Sequence, residues 1–157
     1  MYDFNADEIF QMAEQLERNG SRFYRNAAET TALPEESALL LKLAAMEEEH
    51  EKTFQSMRSE LGDLEKTAPA FDPDGEAALY LRALADTRVF FEKKIDTRSL
   101  KEILKAAIEA EKESILFYLG MREVVPGKLG KSRLDDIITE EMGHIRLLSK
   151  ELVRCKD

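Results

Sequence analysis

The chain has 157 residues, with 23 Lys and Arg set against 32 Asp and Glu for a formal net charge of −9. That length suits one domain, spanning 1–157, able to hide roughly two-thirds of its unfolded surface. The acidic balance argues against nucleic acid and anionic membrane surfaces as partners, no apolar run approaches a membrane span, and the single Cys155 excludes an intramolecular disulfide or a cysteine-cluster iron site within the sequence.

The N-terminus, MYDFNADEIF, is acidic and has no basic region ahead of an apolar core, which is not the pattern of a signal peptide. With one cysteine, a reducing cytoplasmic setting is expected. Residues 5–31 read as the first helix. Asn5 with Asp7 and Glu8 suits a helix start, and Ile9, Met12, Ala13, Leu16, Phe23, Tyr24 and Ala27 recur near helical period. A second helix is expected from Pro34, well placed in a first turn, to about Leu61, with Gly62 as its stop. Residues 62–75, with Gly62, Pro69, Pro73 and Gly75, read as a loop.

A shorter helix is expected over about 76–94, its apolar residues Leu79, Tyr80, Leu81, Leu84, Val89, Phe90 and Phe91 spread around the axis. Burial on two sides follows, and the Phe90-Phe91 pair is the expected contact of a homodimer. Thr97 or Ser99 caps the next helix, which runs to about Val125, and the last extends from about Ser132 to Arg154. Two long helical hairpins are thus joined by a crossover of several dozen residues. The fold class is all-α: a ferritin-like four-helix bundle whose crossover contains a fifth, short helix.

One carboxylate–histidine pattern occurs twice. Glu17, Glu47 and His50 form the first copy, and Glu111, Glu141 and His144 the second, 94 positions later. In each copy the two glutamates are 30 residues apart and the second precedes a histidine by three, in EEEH and EMGH. These are the only two histidines. On an antiparallel hairpin the glutamates of one copy are level when the turn falls midway, at residues 32 and 126, where the chain reads Thr31-Ala32-Leu33-Pro34 and Val125-Pro126-Gly127. Each arm is then about 15 residues, or roughly 22 Å of helix. Each Glu-x-x-His step puts both side chains on one face. Four carboxylates and two imidazoles therefore converge at one height, the donor set of two metal ions. A buried, unpaired carboxylate is costly, so metal accounts better for Glu17 and Glu111 than burial alone.

The segments LERNGSRFY (16–24) and AEKESILFY (110–118), each with Glu second and Phe-Tyr last, join the two Glu-x-x-His pairs in a pattern that resembles the rubrerythrin branch of the ferritin-like di-iron proteins. The resemblance covers about 5–155. It implies a centre of two iron ions, with zinc or manganese as substitutes. Glu47 and Glu141 would bridge the ions, and Glu17 with His50 and Glu111 with His144 would be terminal ligands. It implies reduction of hydrogen peroxide, or oxidation of ferrous iron by dioxygen, and a separate electron donor such as a rubredoxin, since the sequence carries no four-cysteine site. Peroxidase rubrerythrins have an extra carboxylate three residues after the third-helix glutamate; here that position is Ser114, and its mirror is Gly20.

Tyr24 and Tyr118 each follow a ligand glutamate by seven residues. They are expected either to hydrogen-bond a ligand carboxylate, or act in redox chemistry, or to be core tyrosines. Glu48, Glu49, Glu51, Glu109, Glu113 and Glu140 read as solvated faces, and Met12, Met46 and Met142 as core packing. A non-enzymatic, metal-stabilised helical module is the remaining expectation.

Overall fold

The computed structural model describes residues 4–67, 76, 79–81, 83, 99–127 and 130–155, and every element among them is helical. Helix α1 is Ala6–Thr30, α2 is Pro34–Ser59, α3 is Asp63–Thr67, α4 is Leu100–Val124 and α5 is Lys131–Arg154. None is long and apolar enough to cross a membrane.

Local chemistry sets the ends. Asn5 accepts the Glu8 amide at 2.8 Å while Glu8 accepts the Asn5 amide at 3.0 Å, so two otherwise unpaired amides of α1 are satisfied. Pro34 opens α2, where no amide partner is required. Of the two expected caps for α4, Ser99 serves, accepting the Glu102 amide; Thr97 lies outside the described residues. Gly130, at φ +101°, makes the left-handed turn into α5 that a side chain would oppose.

The long helices match expectation within two residues, and the hairpin turns fall at 31–33 and around 125–130. One correction concerns the stretch expected as loop from Gly62. Its first part is the short α3, where the Glu65 carboxylate accepts the Gly62 amide at 2.8 Å and closes a turn. Of the expected crossover helix, Glu76, Leu79, Tyr80, Leu81 and Ala83 are helical; Leu84, Val89 and the Phe90-Phe91 pair lie outside the described residues. Tyr80 donates to the Leu116 carbonyl at 2.7 Å, and its ring occupies the space a Cβ on Gly120 would need, 2.5 Å away. A glycine on α4 is what lets the crossover seat there, with Leu81 fully buried beneath it.

The core is divided into two apolar clusters. One contains Ile9, Phe10, Phe54, Met57, Phe117, Met121, Leu134 and Ile137. The other contains Ala27, Leu40, Leu43, Ile103, Leu104, Ala107 and Leu148. Helices α1 and α5 run from the first cluster to the second, and α2 and α4 run from the second to the first. Hence α1 and α2 are an antiparallel hairpin, as are α4 and α5, while α2 and α4 point the same way. The connection between α2 and α4 must return the full length of the bundle, which is the expected ferritin-like topology. Each of the four long helices leaves a polar gap between its two apolar stretches, and the gaps coincide.

Candidate metal centre

That gap holds all six residues of the repeated pattern. Glu17, Glu47, His50, Glu111, Glu141 and His144 are each at most 4% exposed. They form two overlapping groups in which every residue offers a donor atom within 4.8 Å of the others. Glu17, Glu47, His50 and Glu141 make one group, and Glu47, Glu111, Glu141 and His144 the other. Glu47 and Glu141 belong to both.

The oxygen assignments explain the overlap. Glu47 directs Oε1 toward His144 Nδ1, at 3.1 Å, and Oε2 toward His50 Nδ1, at 3.9 Å. Glu141 directs Oε2 to His144 Nδ1 at 2.9 Å and Oε1 to His50 Nδ1 at 3.4 Å. Each of these glutamates therefore gives one oxygen to each half. Glu17 Oε2 lies 3.5 Å from His50 Nδ1, and Glu111 Oε1 lies 3.3 Å from His144 Nδ1. The two hairpins thus place Glu17 with His50 and Glu111 with His144. The imidazoles stack with centroids 5.7 Å apart and ring planes 17° from parallel, so both present the same nitrogen to the middle.

The inward atoms lack partners. Glu17 Oε2, Glu47 Oε1, both Glu141 oxygens and the Nδ1 atoms of His50 and His144 are buried without a hydrogen bond. Such atoms are rare and costly in a folded protein. Four carboxylates and two neutral imidazoles also balance the charge of two divalent cations, and carboxylate with imidazole is a donor set suited to iron, manganese or zinc. The residues present fit a pair of metal ions.

Without metal, protons are drawn in. Burial, reinforced by Glu141, Glu111 and Glu17, pushes the Glu47 carboxyl well above the usual range. Glu111 is pushed up to about 8, by burial first and then by Glu141, against the pull of His144. For Glu141 burial acts upward too, but the close His144 and His50 imidazoles outweigh it and hold the carboxyl at about 2. Burial would lower both histidines, yet Glu141 and Glu17 raise His50 to about 11, and Glu111 and Glu141 raise His144 to about 9.

Both tyrosines reach the centre, and they do so across it. Tyr24 donates to Glu111 Oε1, and Tyr118 donates to Glu17 Oε1. Each phenol, buried and beside that carboxylate, is raised well above its ordinary pKa and stays protonated. They are also the core side chains that cap the polar layer, Tyr24 from one apolar cluster and Tyr118 from the other. Ser114 is buried, and at Gly20 a Cβ would meet the Glu47 carboxylate at 3.3–3.4 Å.

Several flanking residues depart from expectation. Glu140, expected on a solvated face, accepts a hydrogen bond from His50 Nε2 at 2.7 Å. Glu48 accepts from Ser21 at 3.0 Å and from Arg25, and Glu51 from Arg18 at 2.6 Å, so these two tie α2 to α1. Glu49 and Glu109 remain on outer faces, paired with Lys52 and Lys112. Met142, expected in the core, is half exposed, because the turn it occupies on α5 points away from both clusters.

The family model named Rubrerythrin matches residues 8–152. The chain is also similar to a crystal structure from Thermotoga maritima described as a ferritin-like diiron-carboxylate protein, with 26% identity, 97% of each chain covered and a TM-score of 0.70. No curated protein matches it. With the family model spanning nearly the whole sequence and all six residues of its repeated pattern gathered in one buried layer, the chain belongs to the rubrerythrin family.

Proposed function

We propose that this protein is a di-iron oxidoreductase that reduces hydrogen peroxide to two molecules of water, taking up two protons and two electrons, the electrons delivered by a separate donor such as a rubredoxin. The observation that carries the reading is the division of Glu47 and Glu141, one oxygen to each histidine, in a layer closed to water. Glu47 and Glu141 would hold both ions, Glu17 and His50 one, Glu111 and His144 the other. Two ferrous ions, when bound, would supply the electron pair that breaking an O–O bond consumes.

The chain's own residues have distinct tasks in this reading. Tyr24 and Tyr118 are positioning residues: each fixes Oε1 of a terminal glutamate so that the carboxylate keeps its orientation in the layer. The apolar clusters above and below exclude bulk water, which strengthens every charge interaction between them. Ser114 and Gly20 leave no fifth carboxylate at the positions three residues after Glu111 and Glu17.

That same absence favours a second reading, oxidation of ferrous iron by dioxygen, because four glutamates and two histidines without an extra carboxylate form a symmetric set. Rapid mixing of the anaerobic di-ferrous protein with each oxidant separates the two. A peroxidase reacts much faster with hydrogen peroxide than with dioxygen and turns over with a reductant. Comparable or faster reaction with dioxygen, with iron accumulating beyond two per chain, would establish the second reading instead. A homodimer in the cytoplasm is the setting proposed for either.

A further inference from the structure

The two halves of the centre match in their inward atoms and differ in what supports the histidines from outside. His50 Nε2 lies 2.7 Å from Glu140 Oε2. His144 Nε2 is buried and has no hydrogen-bond partner among the described residues. The cause is legible in the repeat: the 94-residue offset that superposes His50 on His144 and Glu47 on Glu141 sets Glu140 opposite Met46. One copy has a carboxylate where the other has a thioether.

On the metal-centre reading above, we infer that Glu140 is a positioning residue that makes the ion held by Glu17 and His50 the tighter of the two and the first to be filled. An acceptor on the outer N–H fixes the imidazole in the tautomer with a free Nδ1 lone pair, fixes the ring's orientation and makes it a better donor; loss of such a partner typically costs about 10–100-fold in metal affinity. His144 receives no such help: its outer nitrogen is buried and unpaired among the described residues, which is costly. Glu140 is 54% exposed, so solvent weakens its hold and the lower end of that range, about 10-fold, is expected. The exposure also means that replacing it leaves the core untouched.

The test uses zinc, which is redox-silent, in competition with a chromophoric chelator. His144→Ala leaves only the His50 half complete, and His50→Ala only the His144 half. The His144→Ala protein should bind its first zinc about 10-fold more tightly than the His50→Ala protein. Adding Glu140→Ala should erase that advantage in the first and leave the second unchanged, with Glu140→Gln intermediate. In the otherwise unaltered chain, Met46→Glu should tighten the weaker step. Equal affinities of the two histidine variants, or an equal loss from Glu140→Ala in both, overturns the inference. No zinc uptake by the unaltered protein overturns the metal-centre reading and this inference with it.

Discussion

Tyr24, on α1, donates its phenolic hydrogen to Glu111 on α4, and Tyr118, on α4, returns the same bond to Glu17 on α1. Each hairpin therefore holds the other's terminal glutamate. The exchange ties the two halves together at the level of the centre, where α1 and α4 carry few other direct links. Tyr24→Phe should weaken binding of the ion held by Glu111 and His144 by about 10-fold or more, and Tyr118→Phe the ion held by Glu17 and His50. Zinc competition on the two single variants reads this directly. If each substitution weakened the ion on its own hairpin instead, the crossed assignment would be wrong.

The shared glutamates and the terminal ones should behave differently on removal. Glu47→Ala or Glu141→Ala takes an oxygen from both ions, so neither variant should hold two. Glu17→Ala or Glu111→Ala takes ligands from one ion, so each should keep one. Helical circular dichroism should persist in all four, because the long helices are held by the apolar clusters on either side. Elemental analysis after removal of loose metal decides the matter; two tightly held ions in the Glu47 or Glu141 variant would defeat the bridging assignment.

The metal-free protein should be more stable below neutrality than above it. His144 rises from 6.5 to about 9 on folding and His50 to about 11, so their contribution is complete below pH 6.5 and is lost as pH climbs through those values. Glu111 rises from 4.5 to about 8, and its contribution likewise disappears between those values. Within the centre, Glu141, lowered to about 2, acts the other way, and its contribution is already complete above pH 4.5. Metal must displace the same protons, so metal affinity should rise over the range in which metal-free stability falls. Thermal melts of apo and zinc-loaded protein from pH 6 to pH 9 should diverge. A metal-free melting temperature that increases across that range would contradict these proton assignments.

Gly20 gives Glu47 its room. A Cβ there would sit 3.3–3.4 Å from three atoms of the Glu47 side chain, closer than ordinary contact, so the carboxylate would have to shift by a few tenths of an ångström. Gly20→Ala, in mid-helix, should raise helix propensity by up to about 1 kcal/mol while weakening binding of both ions. Unchanged or tighter metal binding in Gly20→Ala would show that Gly20 has no bearing on Glu47.

Most of the centre could be read from the chain because three periodicities agree. Glu-x-x-His follows the helical repeat, the 30-residue interval places both glutamates of a copy level about a proline- or glycine-marked turn, and the whole recurs after 94 residues. The crossed tyrosines could not be read that way. Tyr24 lies two turns from Glu17, but its phenol reaches Glu111 on another helix, and that choice depends on how α1 and α4 face each other. Glu140 escaped for a related reason. It occupies an outward slot on α5, as its 54% exposure shows, and only the approach of α2 brings His50 Nε2 against it. The short α3 depends on one carboxylate, Glu65, folding back onto the Gly62 amide, a local bond that the prolines and glycines of the following stretch obscured.

If six residues from two repeats hold two ions in one buried layer, protein loaded with ferrous iron under anaerobic conditions and freed of excess metal should contain two irons per chain. Elemental analysis that finds one loosely held iron, or none, would rule that arrangement out.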